Sequence, residues 1–167
     1  MHRIAVIAGD GIGGEVVAEG LRVLDAMADV CGFAYEAEHL PWGCGYWLEH
    51  GRMMPDDGIE RLSEFDAIYL GAVGLPNTVP EEVAVRGLVL AIRVGFDQYR
   101  NVRPVNPLPG APYPLAYPDQ DAVDFVVIRE STEGMYAGVG GRYPRGAEEL
   151  AALAEVVPLV KDSTEVA

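Results

Sequence analysis

Lysine is nearly missing from this chain. Of 12 basic residues eleven are arginine, and Lys161 is the single lysine. Against them stand 26 acidic residues, for a formal net charge of -14. Nucleic-acid binding rests on a basic face, so this balance excludes it as a main function. A small anionic substrate needs only a local basic pocket and stays open. Arginine-only cationic chemistry suits bidentate recognition of carboxylates. Cysteine is scarce too: Cys31 and Cys44 form no CxxC pair and no metal spacing, which points to reduced, structural thiols. The three histidines, His2, His39 and His50, are scattered and read as surface or loop residues without ligand duty. No apolar run approaches the roughly 18 residues that cross a bilayer, and the start "MHRIAVIAGDG" lacks the layout of a secretory signal. A cytoplasmic protein without membrane or nucleic-acid partners is the expectation.

What is present is an alternation of apolar segments. "RIAVIAG" (3–9) reads as a buried strand ending in a glycine turn. Val17, Leu21, Leu24 and Ala28 then follow at steps of four, three and four, the stripe of an amphipathic helix that Gly32 ends. "FAYEAEHL" (33–40) alternates as a second strand, and "DAIYLGAVG" (66–74) reads as a third. Short helices are expected within "PWGCGYWLEHGRMMP" and "DDGIERLSEF". Strand, helix, strand, helix, strand predicts an α/β fold, a mainly parallel sheet flanked by helices. "PNTVPEEVAVRG" reads as a proline-broken loop, and 88–101 as a helix with Leu88, Ile92 and Phe96 on one face and Tyr99 beside it. Six prolines in "VRPVNPLPGAPYPLAYPD" forbid helix there. "DFVVIRES" (124–131) is a further strand, "TEGMYAGVGGRYPRGAEE" a glycine-rich connection, and "LAALAEVVPLV" has weak helical character.

Two constellations carry chemistry. Gly9-x-Gly11-x-x-Gly14 has the spacing of a dinucleotide turn, with Glu36 or Glu38 placed to meet a ribose. Asp10 resists this, because it stands between the first two glycines where a phosphate would approach. A tight strand-to-helix turn without phosphate is the competing reading. The second constellation is Arg93, Arg103 and Arg129, each expected at or near the end of an element, with Tyr136 seven residues beyond the last. Several fixed guanidinium groups suit a substrate with two carboxylates, and a tyrosine can donate or relay a proton. Surface ion pairs with Asp97, Glu130 and Glu133 are the plainer alternative.

"GDGIGGEV", "FDAIYLGAVG", "IRVGFDQYRNVRPV" and "DFVVIRESTEGMYAGVGGR", in that order, resemble the β-decarboxylating dehydrogenases, the isocitrate and isopropylmalate dehydrogenase family. Within it, "WGCGYWLEHGRMMPDDGIERLSEFDAIYLGAVG" is most similar to the branch acting on malate and tartrate. The resemblance implies an isopropylmalate dehydrogenase-like fold, here truncated, with 1–98 the first part of domain one and 99–167 the first part of domain two. It implies NAD and Mg2+ or Mn2+ as cofactors, oxidation of a 2-hydroxy dicarboxylate, and loss of CO2. Arg93, Arg103 and Arg129 would grip the substrate, and Tyr136 would protonate the carbon left by decarboxylation. Val73, Gly74, Leu75 and Pro76, with Ile12, would lie beside the nicotinamide and its ribose. The glycine turn then serves that end of the cofactor rather than its pyrophosphate.

Gly87 and Val89 stand where isocitrate enzymes carry a serine and an asparagine, which turns the reading away from isocitrate. An apolar isopropylmalate contact stays open, and Arg86 departs from the aromatic residue usual in the malate and tartrate group. Alanine and glycine at 8 and 14 replace the usual prolines, and the dimer-forming arm expected after Arg142 is poorly matched. The family lysine and aspartate metal ligands have no counterpart here, and Lys161 lies too near Tyr136 to serve. The expectations are therefore a homodimeric enzyme, or a truncated, non-catalytic relative that keeps an anion pocket or an interface. With neither sheet complete, the chain alone is expected to be marginal or to pair with something.

Overall fold

A computed structural model describes residues 1–108, 110 and 123–133. Strand β1 (His2–Gly9) runs down the middle of a three-stranded sheet of order β2-β1-β3, flanked by β2 (Tyr35–His39) and β3 (Ala67–Ala72). Both pairings are parallel, with Val6 opposite His39 on one side and Tyr69 on the other. Parallel neighbours need crossovers, and helices supply them. Helix α1 (Gly13–Cys31) joins β1 to β2, while α2 (Cys44–His50) and α3 (Gly58–Leu62) lie between β2 and β3.

Ala5, Val6 and Ile7 are completely buried, as a central strand covered on both faces requires. Strand alternation turns Ala5 and Ile7 to one face and Val6 to the other. On the first face they join Leu40, Trp42, Met53, Leu62, Leu88 and Ile92 in the main core. On the second, Val17 of α1 is buried, while Leu21, Leu24 and Ala28 are half-buried along the expected stripe. Gly32 caps this helix in the left-handed conformation, its amide donating to the Ala28 carbonyl.

One element departs from the sequence reading. The helix expected at 88–101 begins at Glu81 and ends at Gly95, as α4 (Glu81–Ala84), a π-helical segment (Val85–Leu90) and α5 (Ala91–Gly95). Pro80 is no breaker there, because it sits at the N-cap and its missing donor costs the helix nothing. Glu81 and Glu82 fill the first turn, where carboxylates favour the positive end of the helix dipole. At the other end Asp97 takes a positive φ of 47°, so Tyr99 falls outside the helix. The apolar face survives: Leu88 and Ile92 are buried, and Phe96 is half-buried just beyond. A π segment widens one turn, a feature often found at functional sites. Here it carries Gly87, where a Cβ would come within 2.7 Å of the Met53 side chain.

Strands β4 (Arg100–Val105) and β5 (Phe125–Glu130) form a separate two-stranded antiparallel sheet. All of these elements belong to one compact unit, Met1–Thr132. Tyr136, Lys161, the glycine-rich connection beyond Glu133 and the weak helix lie outside the described residues.

Candidate functional site

The carboxyl ends of parallel strands are where ligands gather in α/β sheets. Three loops meet there: the glycine turn after β1, the segment 40–43 after β2, and the loop after β3. In a dinucleotide fingerprint the third glycine lets helix and strand pack closely. Gly14 meets nothing within 4 Å, so it has no such duty. Gly13 has it instead, since a Cβ there would stand 2.1 Å from the Ala8 carbonyl oxygen. Gly9, at φ 75°, permits an equally close approach to Ala72. The turn matches the phosphate-binding spacing but performs a different packing.

Asp10 occupies its centre and is 9% exposed. Its Oδ1 accepts from the Cys44 amide at 2.8 Å, and its Oδ2 from the Gly74 amide at 3.0 Å. Its own amide donates to the Ala72 carbonyl, and its carbonyl accepts from Gly13. Fully buried Cys44 stands against the same carboxylate. Burial pushes its thiol pKa up, the hydrogen bond to Asp10 and the charge of that carboxylate add to the rise, and the Leu75 and Gly74 amides oppose it. The sequence reading took Asp10 only as an obstacle to phosphate. A buried acid between two glycines, just past a strand, is the signal that could have marked it as a hub.

Beyond this hub, Val73, Gly74, Leu75 and Pro76 line a cavity of about 730 Å³, together with residues 77–81, 84 and 85. Val79 and Ala84 supply buried apolar wall. The lining is largely apolar, with Asn77, Thr78 and Glu81 as its polar members. Ile12 is not part of this lining; it is 63% exposed at the start of α1.

Arg93 lies in the last turn of α5, Arg103 on β4 and Arg129 on β5. The β4–β5 register pairs Asn101 with Arg129 and Arg103 with Val127, which sets both arginines on one face of the sheet. Arg103 Nε donates to Asn101 Oδ1 at 2.7 Å. Partly buried Arg93 has its pKa lowered, first by burial, then by the positive charges of Arg129 and Arg103. Like charges thus gather from three elements. Two residues past Arg129, Ser131 is buried, and its Oγ has no hydrogen-bond partner among the described residues. Arg86 points elsewhere, its Nε 3.3 Å from Glu82 in an exposed pair. Among the described residues no group of three or more His, Cys, Asp or Glu side chains could hold a metal ion. No helix among them is long and apolar enough to cross a membrane.

The isocitrate/isopropylmalate dehydrogenase family model matches residues 3–158. D-malate dehydrogenase (decarboxylating) of Escherichia coli is 52% identical over 156 residues, which are 93% of this chain and 43% of that protein. Tartrate dehydrogenase/decarboxylase of Pseudomonas putida is 51% identical over 140 residues, 83% of this chain and 38% of that one. The chain therefore spans about two-fifths of the length of these curated relatives. Among solved structures, isocitrate dehydrogenase of Methylococcus capsulatus superposes with a TM-score of 0.65 at 28% identity, over 83% of this chain and 37% of its own. A β-decarboxylating dehydrogenase of Thermococcus kodakarensis gives 0.59 at 29%, over 80% and 35%. This chain belongs to the isocitrate/isopropylmalate dehydrogenase family.

Proposed function

We propose that this protein takes part in NAD-dependent oxidative decarboxylation of a 2-hydroxy dicarboxylic acid of the malate or tartrate type, as a homodimer. One observation carries the reading: a chain of net charge -14 gathers Arg93, Arg103 and Arg129 closely enough for their charges to oppose one another. Arg103 and Arg129 share one face of the β4–β5 sheet, and a dicarboxylate is a natural ligand for such a cluster. The curated relatives that support the substrate class are named for D-malate and tartrate.

In this reading the three arginines bind the two carboxylates and fix the hydroxyl-bearing carbon. The Val73–Pro76 wall holds the nicotinamide and keeps water from it; Ile12, outside that lining, is assigned the cofactor's ribose side only through the family resemblance. NAD held against that wall would supply the hydride acceptor for this carbon, the hydroxyl proton passing to solvent, and the resulting 2-oxo acid would release its β-carboxylate as CO2. Tyr136 is assigned the proton delivered to the carbon that CO2 leaves. Mg2+ or Mn2+ would polarise the hydroxyl when bound. No ligand for it is assigned to this chain, and no step of the arginines depends on it. Gly87 supports the choice against isocitrate, because it lacks the hydroxyl that isocitrate enzymes place there, and its closeness to Met53 leaves little room for one.

NADH release by the protein expressed from its complete reading frame tests this, with D-malate, tartrate, isopropylmalate and isocitrate as substrates. Turnover of D-malate or tartrate is expected. Activity with isocitrate alone would overturn the assignment.

A further inference from the structure

We infer that Asp10 is a positioning residue for the cofactor wall: its carboxylate bridges the Cys44 and Gly74 amides and thereby sets where Val73–Pro76 stand. This rests on the assignment of that wall to the nicotinamide. Pairing between β1 and β3 ends at Gly9 and Ala72, so the sheet ladder no longer holds the chain where the wall begins. The next residue but one, Gly74, is held by Asp10 Oδ2 at 3.0 Å. The other oxygen holds the first residue of α2 at 2.8 Å.

The arrangement is specific to aspartate. Both oxygens accept from backbone amides of different loops, while the residue's own amide and carbonyl are bonded to Ala72 and Gly13. Asparagine would keep one acceptor and turn an NH2 group against the second amide. Glutamate would restore the charge but carry it one methylene too far into a buried space. The surroundings leave no slack: a Cβ on Gly43, itself at φ 149°, would stand 2.9 Å from Oδ1. Cys44 completes the clamp, its buried sulfur lying against Asp10 and the Gly74 and Leu75 amides. Asp10 touches no reacting atom in this proposal. It acts through Gly74.

The test uses the protein from its complete reading frame, with two readouts. Hydrogen exchange at the Gly74 and Cys44 amides reports the clamp without reference to activity. In Asp10→Asn the amide that faces the new NH2 group is expected to exchange about tenfold faster or more, and the other is expected to quicken as well because its acceptor loses its charge. Steady-state kinetics with D-malate or tartrate report the role: KM for NAD should rise about tenfold while KM for the acid moves by less than about threefold. Asp10→Glu should not rescue it. A protein that merely loses stability would show a lower Tm with both KM values intact, and that result overturns the inference. Unchanged exchange at Gly74 overturns it as well, as does rescue by glutamate. Wild-type protein that turns over neither acid with NAD defeats the functional reading, and with it the cofactor role, whatever the exchange shows. If Asp10→Asn does not fold, Cys44→Ala is the substitute; a rise of about threefold in KM for NAD supports the clamp, and an unchanged value overturns it.

Discussion

Gly20 sits in the interior of α1, where glycine ordinarily costs about 1 kcal/mol relative to alanine. Gly20→Ala should therefore stabilise the helix, yet a Cβ there would lie 1.8 Å from the Tyr69 hydroxyl and 2.9 Å from the ring carbon bearing it. Tyr69 is on β3, opposite Val6 of the central strand, so relief has to come from its side chain or from α1. Overpacking of this kind costs about 1–3 kcal/mol, so Gly20→Ala alone should be destabilising by about 0–2 kcal/mol. Tyr69→Phe removes the atom that collides and relaxes the closest approach from 1.8 to 2.9 Å. In that background the overpacking term should drop below about 1 kcal/mol, and the alanine becomes neutral or stabilising. The expected coupling between the two sites is about 1–2 kcal/mol, within the range for directly contacting residues. Urea unfolding of the four proteins of the cycle, followed by far-UV circular dichroism, measures it. Equal effects of Gly20→Ala in both backgrounds, within about 0.3 kcal/mol, would refute the claim that this glycine exists for Tyr69.

Arg93→Gln should weaken D-malate or tartrate binding about tenfold to a hundredfold, from one lost charge-assisted contact, and isothermal titration of the complete protein reads it. The raised pKa of Cys44 also sets a pH dependence. A thiol whose folded pKa lies above its unfolded value contributes stability that is full below the unfolded pKa and is lost as pH climbs through the folded one. Stability should thus fall above about pH 9, and Cys44→Ala should flatten that limb of a Tm-against-pH curve. Below that pH a thiol reagent should label exposed Cys31 quickly and buried Cys44 only through local opening. On β4–β5, Val102, Val126 and Ile128 share one face and are 60%, 54% and 70% exposed. This chain on its own should associate through that face, and Ile128→Lys should lower the apparent mass in sedimentation experiments. Unchanged association would move the contact elsewhere.

Periodicity carried the fold as far as local pattern dictates structure. The steps of four, three and four from Val17 to Ala28 marked the buried side of α1, and the apolar run at 3–9 marked the central strand. It failed at Pro80, where the same residue that breaks a helix interior is harmless before its first turn. Nor could it show a π segment, because Leu88 and Ile92 keep one apolar face in either helix type.

The site divides in the same way. Arg93, Arg103 and Arg129 could be singled out by residue type, but the register that puts two of them on one face depends on pairing across more than twenty residues. Asp10 shows the limit more sharply. Its two acceptor bonds reach 34 and 64 positions along the chain. In the sequence it is only an acid among glycines, which argued against a phosphate and suggested nothing further. Folding turns the objection into an explanation. The carboxylate takes for itself two backbone amides at the mouth of the sheet, of the kind a bound anion could otherwise recruit. With Asp10 in its turn those two amides are closed to a phosphate, which supports the proposal that anionic ligands meet the arginines instead.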